Sequence, residues 1–305
     1  MPIDARVRRT VAPPQRLGAA GVERLADEDP YAVAGEVVQD SQRRIVVAVH
    51  QRVNEQGLAV DGQRVAGSGA ELARALTAAN VGWIDLSLVV TGGASAVGAA
   101  TDAVATDARL RLRAVEVPAA KGTDPAHAIM DVAAALDSVP LGGATGYVEI
   151  PLSAIADSAT GGSLLDLADR RGYRPKLRTG GVSAEAFPDE EMLARCLAEV
   201  GSRRIRFKCT AGLHHAVRHT DQASGLEQHG FLNVLLAVRA ASADASVGEI
   251  AAILSERQPD VVAAAVRDLD PDTGAEIRWL FSSFGTCSTD EPVADLVSLG
   301  LLSQH

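Results

Sequence analysis

The chain has 305 residues, 47% hydrophobic and 22% charged, a balance that fits a folded globular protein with a sizeable core and excludes a disordered one. Formal charge is −10 and the isoelectric point about 5.2, which argues against nucleic acid or an anionic membrane as partner, because phosphate surfaces attract basic faces. Aromatic residues make up only 3%, so the core must be built from Ala, Val, Leu and Ile.

Residues 1–30 are polar, include Pro13-Pro14, and read as an N-terminal arm. Its basic residues are not followed by an apolar stretch, so a signal peptide is not expected. Residues 45–50 (Ile-Val-Val-Ala-Val-His) predict a buried strand, and 71–79 a helix. Strands are predicted at 83–90, 110–117 and 146–150, with a helix over 125–136. A further strand could lie within 57–65. A helix at 163–171 ends at Gly172, a lysine-bearing strand follows around Lys176, and a helix covers 189–200. A second lysine-bearing strand holds Lys208. Residues 214–230 read as a polar loop, and 231–241, 247–256 and 259–266 as helices. Residues 276–281 predict a last strand, and 292–299 a last helix capped by Ser288 or Thr289.

Near-continuous apolar strands alternating with helices predict an α/β fold, a parallel sheet covered on both faces. A (β/α)8 barrel of TIM type over residues 31–305 is the first expectation, and a doubly wound parallel sheet the second. No G-x-G-x-x-G or G-x-x-x-x-G-K-[ST] is present, so no nucleotide cofactor is expected. Three cysteines, Cys196, Cys209 and Cys287, form no C-x-x-C pair, which predicts reduced thiols and a cytoplasmic setting. No apolar run is long enough to span a bilayer. A homo-oligomer is left open.

The most informative stretch runs from Arg174 to His215. It reads Arg-Pro-Lys-Leu-Arg-Thr-Gly-Gly, then a helix, then Ile-Arg-Phe-Lys-Cys-Thr-Ala-Gly-Leu-His-His. Strands joined by one helical crossover are usually parallel and often adjacent. Lys176 and Lys208 would then be neighbours. Two ammonium groups in a sheltered strand-end site disfavour each other's protonation. A lysine so perturbed is an amine nucleophile for carbonyl compounds. Alternation puts Arg178 on the face of Lys176, and Thr210 on that of Lys208. Anionic company could come from Glu149, Glu116 or Asp85, or from a small anionic carbonyl substrate. Gly180-Gly181, just after a strand bearing Lys and Arg, offers backbone N–H groups to an anion.

The segment Lys176-Leu177-Arg178-Thr179-Gly180 resembles the Lys-x-x-Thr-Gly strand end of deoxyribose-phosphate aldolases and related class I barrel aldolases. Lys208-Cys209-Thr210-Ala211-Gly212 resembles their second lysine strand, and Ser282, Ser283 and Gly285 lie in a stretch similar to their phosphate loop. The resemblance implies Lys176 as Schiff-base nucleophile and Lys208 as the charge that activates it. It implies a lyase acting on a small anionic carbonyl compound, with Glu149 or a loop histidine moving protons. Arg178 stands where the family carries a small residue, and residues 213–275 are too long for one crossover helix, so an insertion is expected there.

A second cluster comprises His214, His215, His219 and Asp221. The i, i+4 spacing of His215 and His219 could put two imidazoles on one helical face for a metal, giving a metal-dependent hydrolase or lyase as the alternative. No H-E-x-x-H is present, and His214 and His215 are placed first as substrate-binding groups. A third alternative is a non-catalytic anion-binding barrel.

Overall fold

The computed structural model describes residues 37–40, 44–51 and 84–302, apart from 109, 182 and 287–289. The expected N-terminal arm, the helix at 71–79 and the extra strand near 57–65 lie outside the described residues. The chain divides into two compact units, one of residues 6–149 with 171–173, the other of 1–5, 150–170 and 174–305.

In the first unit β1 (Val37–Asp40) runs antiparallel to β2 (Arg44–Gln51). Beside β2 lie β3 (Ile84–Val90), β4 (Leu110–Pro118) and β5 (Thr145–Glu149), successive neighbours and all parallel. The four parallel strands are the predicted ones. β1 was not anticipated, because Val37-Val38 is too short an apolar run to register. Helix α1 (Val97–Ala105) follows β3 and α2 (Pro125–Asp137) follows β4. Asp124 caps α2 by accepting from the His127 N–H at 2.9 Å, and Pro125 occupies the first turn, where no N–H is needed. Helix α1 was also missed, although Val97, Ala100, Thr101 and Val104 are its buried face at helical spacing. β4 alternates in its first half, with Arg111 and Arg113 exposed. It is buried continuously over Val115, Glu116 and Val117. The Glu116 carboxylate accepts from the Ser87 hydroxyl at 2.5 Å.

The second unit opens with α3 (Leu152–Ile155) and α4 (Gly161–Arg170), then β6 (Arg174–Arg178), α5 (Glu190–Ser202) and β7 (Phe207–Thr210). A two-rung hairpin follows, β8 (His219–Thr220) with β9 (Glu227–Gln228). Then come α6 (Phe231–Ser242), α7 (Val247–Ser255), α8 (Pro259–Arg267) and α9 (Pro271–Leu280). β10 (Phe281–Phe284) and α10 (Asp290–Ser298) complete the unit. β6, β7 and β10 are parallel, with β7 in the middle. The segment between β7 and β10 thus carries the hairpin and α6 to α9. Asp189 caps α5 through the Met192 N–H at 2.7 Å. Leu193, Ala194, Cys196, Leu197 and Val200 form the buried face of α5, which packs against α6 and α7.

Residues 276–281 correct the sequence reading. Ile277, Trp279 and Phe281 alternate as in a strand, yet 271–280 is helix α9 and the strand begins only at Phe281. Asp270 caps the helix by accepting from the Asp272 and Thr273 N–H groups, and Pro271 starts it. Ile277 and Leu280, three apart, are buried, while Trp279 is 47% exposed. The helical period decides, and the alternation is incidental. The architecture is mixed α/β, with parallel strands covered by helices. Among the described residues no helix is long and apolar enough to cross a membrane.

Candidate functional site

The register of β6, β7 and β10 brings the two lysines together. Lys176 stands directly opposite Lys208, and Lys208 directly opposite Ser283. Neighbouring strands lie about 4.8 Å apart and paired residues point to the same face, so one row runs Lys176, Lys208, Ser283. Both lysines are buried, Lys176 with 2% of its surface exposed and Lys208 with 1%. The next row toward the strand ends pairs exposed Arg178 with buried Thr210. Leu177, Cys209 and Phe284 form the alternate row, which by alternation faces away from the lysines. The register slips between Phe281 and Ser283, and Ser282 is the extra residue of this bulge. Its hydroxyl donates to the Phe207 carbonyl at 2.8 Å.

The strand ends are locked to each other. The Thr179 N–H donates to the Thr210 carbonyl at 2.8 Å, and the Thr179 hydroxyl to the Ala211 carbonyl at 2.6 Å. The Gly285 N–H donates to the Cys209 carbonyl at 3.0 Å. Ala211 and Gly212 both adopt positive φ, 64° and 73°. A Cβ on Gly180 would lie 2.7 Å from the Gly212 Cα, and one on Gly212 would lie 2.8 Å from the Thr179 carbonyl oxygen. Gly180 and Gly212 are thus where two turns touch backbone to backbone, a packing reason for glycine that the sequence did not reveal. The Thr286 hydroxyl, just beyond β10, is buried and has no hydrogen-bond partner among the described residues.

Among the described residues the histidines do not form a metal cluster. Residues 211–218 are not helical and His219 sits in β8, so the expected i, i+4 helical face does not exist. The His215 and His219 rings meet edge to face, with centroids 4.5 Å apart. His214 Nδ1 lies 3.4 Å from Glu291 Oε2, and His215 Nδ1 lies 3.1 Å from Asp295 Oδ2. Glu291 and Asp295, four apart on α10, were not singled out by sequence reasoning. No local motif links them to residues eighty positions earlier. Among the described residues no group of three His, Cys, Asp or Glu side chains is placed to hold a metal ion.

A second buried cluster was also missed. His229 Nε2 donates to the Pro188 carbonyl at 2.9 Å, and its Nδ1 accepts from Arg218 at 3.1 Å, the tautomer these partners require. Arg218 pairs with Glu190 at 2.7 Å and Glu227 at 3.3 Å. Its backbone N–H donates to Asn233 Oδ1 at 2.9 Å. Burial, and then the Arg218 guanidinium, push the His229 imidazole down to about 4. An unfolded histidine titrates near 6.5, so between these values the unfolded chain binds more protons. His229 therefore leaves stability unchanged above pH 6.5 and lowers it as the pH falls toward 4, by roughly 3 kcal/mol across that window. Urea midpoints of the wild type should fall over this range, and His229→Gln should show a shallower fall. Equal slopes would remove His229 as the cause.

Burial pushes the Cys196 thiol up to about 12 and that of Cys209 higher still. Both are packing residues, with Cys196 Sγ against the Leu152 carbonyl at 3.4 Å. Cys287 lies outside the described residues. Glu149 ends β5 in the first unit, half-buried, its carbonyl accepting from the Ala119 N–H at 3.0 Å. The second unit thus gathers Lys176, Arg178, Lys208, Thr210, Ser282 and Ser283 on three adjacent strands, with Thr179, Gly180 and Gly285 just beyond their ends. No protein-family model and no curated protein matches this chain.

Proposed function

We propose that the chain is a lyase of the Schiff-base aldolase type, built on a barrel-type scaffold and acting on a small anionic carbonyl compound. The observation that carries this reading is the in-register pairing of two buried lysines on neighbouring parallel strands. Burial and a second cation both disfavour an ammonium group. The neutral amine is the form that attacks a carbonyl. Lys176 Nζ adds to the carbonyl carbon, the carbonyl oxygen leaves as water, and an iminium remains. The iminium accepts the electron pair released when a carbon–carbon bond breaks, which is what an aldol cleavage needs. In this reading Lys208 is the cation that disfavours the protonated form of Lys176. Arg178, exposed one row closer to the strand ends, suits the carboxylate or phosphate of such a substrate. Ser283, on the lysine row, is a further hydroxyl donor next to Lys208.

Reductive trapping tests the reading. Protein mixed with pyruvate, glyoxylate or dihydroxyacetone phosphate and then sodium borohydride should gain the mass of one reduced adduct. Unchanged mass with every compound would contradict it and favour simple anion binding.

A further inference from the structure

A Schiff base does useful chemistry only if something moves the proton on the carbon next to it. The loop that leaves β7 and the helix that follows β10 meet, and they meet through a histidine and a carboxylate. Asp295 Oδ2 accepts the Ala216 N–H at 2.7 Å and lies 3.1 Å from His215 Nδ1. The first bond anchors the carboxylate to the backbone of the loop. The second places the proton of a neutral His215 on Nδ1, leaving Nε2 with a lone pair. Among the described residues Nε2 has no hydrogen-bond partner.

The ring is held on other sides too. His219 abuts it edge-on, and burial, followed by His215 itself, keeps His219 below the ordinary imidazole value. The His215 carbonyl accepts the Phe231 N–H at 3.0 Å, tying the loop to the start of α6. His215 is only half-buried. β7 and β10 are parallel neighbours, so the loop and α10 both leave the same end of the sheet.

We propose that His215 is the proton-transfer residue of this site and Asp295 its positioning residue. The proposal rests on the Schiff-base reading above. In the step concerned the iminium on Lys176 loses a proton from its α carbon. His215 Nε2 takes that proton and becomes an imidazolium, and the C–H electron pair forms the C=C bond of a neutral enamine. Asp295 stabilises the imidazolium. Return of the proton in the reverse sense completes the exchange.

The test separates the proposal from the reading beneath it. Borohydride trapping with pyruvate reports iminium formation. Loss of the pyruvate methyl signal in heavy water, followed by NMR, reports proton transfer. His215→Gln should still be trapped at the wild-type rate, while its exchange falls about a hundredfold or more. Free imidazole should restore part of the exchange in His215→Ala. Asp295→Ala should lower exchange without slowing trapping, and Asp295→Glu should keep most of it. Wild-type exchange in His215→Gln, with trapping intact, would overturn the assignment of His215. Trapping and exchange lost together would overturn it too, because His215 would then serve imine formation or folding. No adduct in the wild type would instead sink the Schiff-base reading itself.

Discussion

Lys176→Ala and Lys176→Arg should each abolish the borohydride-trapped adduct. Alanine has no amine, and a guanidinium stays protonated and cannot attack a carbonyl. The arginine variant is the stricter control, because it keeps a cation opposite Lys208 in the β6–β7 register. Lys208→Ala should leave trapping possible but slower by about tenfold or more near neutral pH, since removing a cation favours the protonated form of its neighbour. Lys208→Arg should be closer to wild type in this respect, because it keeps the charge. Labelling rates followed by intact-mass spectrometry decide the matter. A Lys176→Arg variant that still gains the adduct would move the nucleophile elsewhere. A Lys208→Ala variant trapped at the wild-type rate would remove Lys208 from the chemistry.

The second large effect concerns stability. Gly212 has φ of 73°, and an added Cβ would meet the Thr179 carbonyl oxygen at 2.8 Å and the Gly180 Cα at 3.1 Å. The obstacles are backbone atoms in two turns already fixed by hydrogen bonds from Thr179. Gly212→Ala should therefore cost both the left-handed conformation and the clash, roughly 2–4 kcal/mol. Melting should fall by roughly 3–6 °C. Gly225 is the internal comparison: its φ is 70° and nothing lies within 4 Å of an added Cβ. Gly225→Ala should cost only the conformational part, about 1 kcal/mol. Equal losses at the two positions would show that the Gly180–Gly212 contact is not tight in solution.

What could be read from the chain was what depends on local pattern. The apolar runs at β2 to β7 and the helices α2, α4 and α5 announce themselves through their period. The pairing of Lys176 with Lys208 was legible because one helix joins their strands, and short crossovers favour adjacency. What depends on distant partners was not legible. α9 looked like a strand because Ile277 and Trp279 alternate, and only packing shows that Ile277 and Leu280 share the buried face. The histidines suggested a metal through spacing alone. Their partners are Glu291 and Asp295, supplied by a helix at the far end of the sequence. Gly180 was read as a possible anion cradle, and the structure adds a steric reason for it that lies at Gly212, thirty-two residues away.

The central claim is that Lys176, and not another amine, forms the covalent bond to a carbonyl substrate. The most direct measurement is peptide mapping of the wild-type protein after borohydride trapping with a labelled keto acid. The account predicts one labelled peptide, with the reduced adduct on Lys176 and none on Lys208 or Lys121. Label spread over several lysines, or confined to a peptide that lacks Lys176, would contradict it.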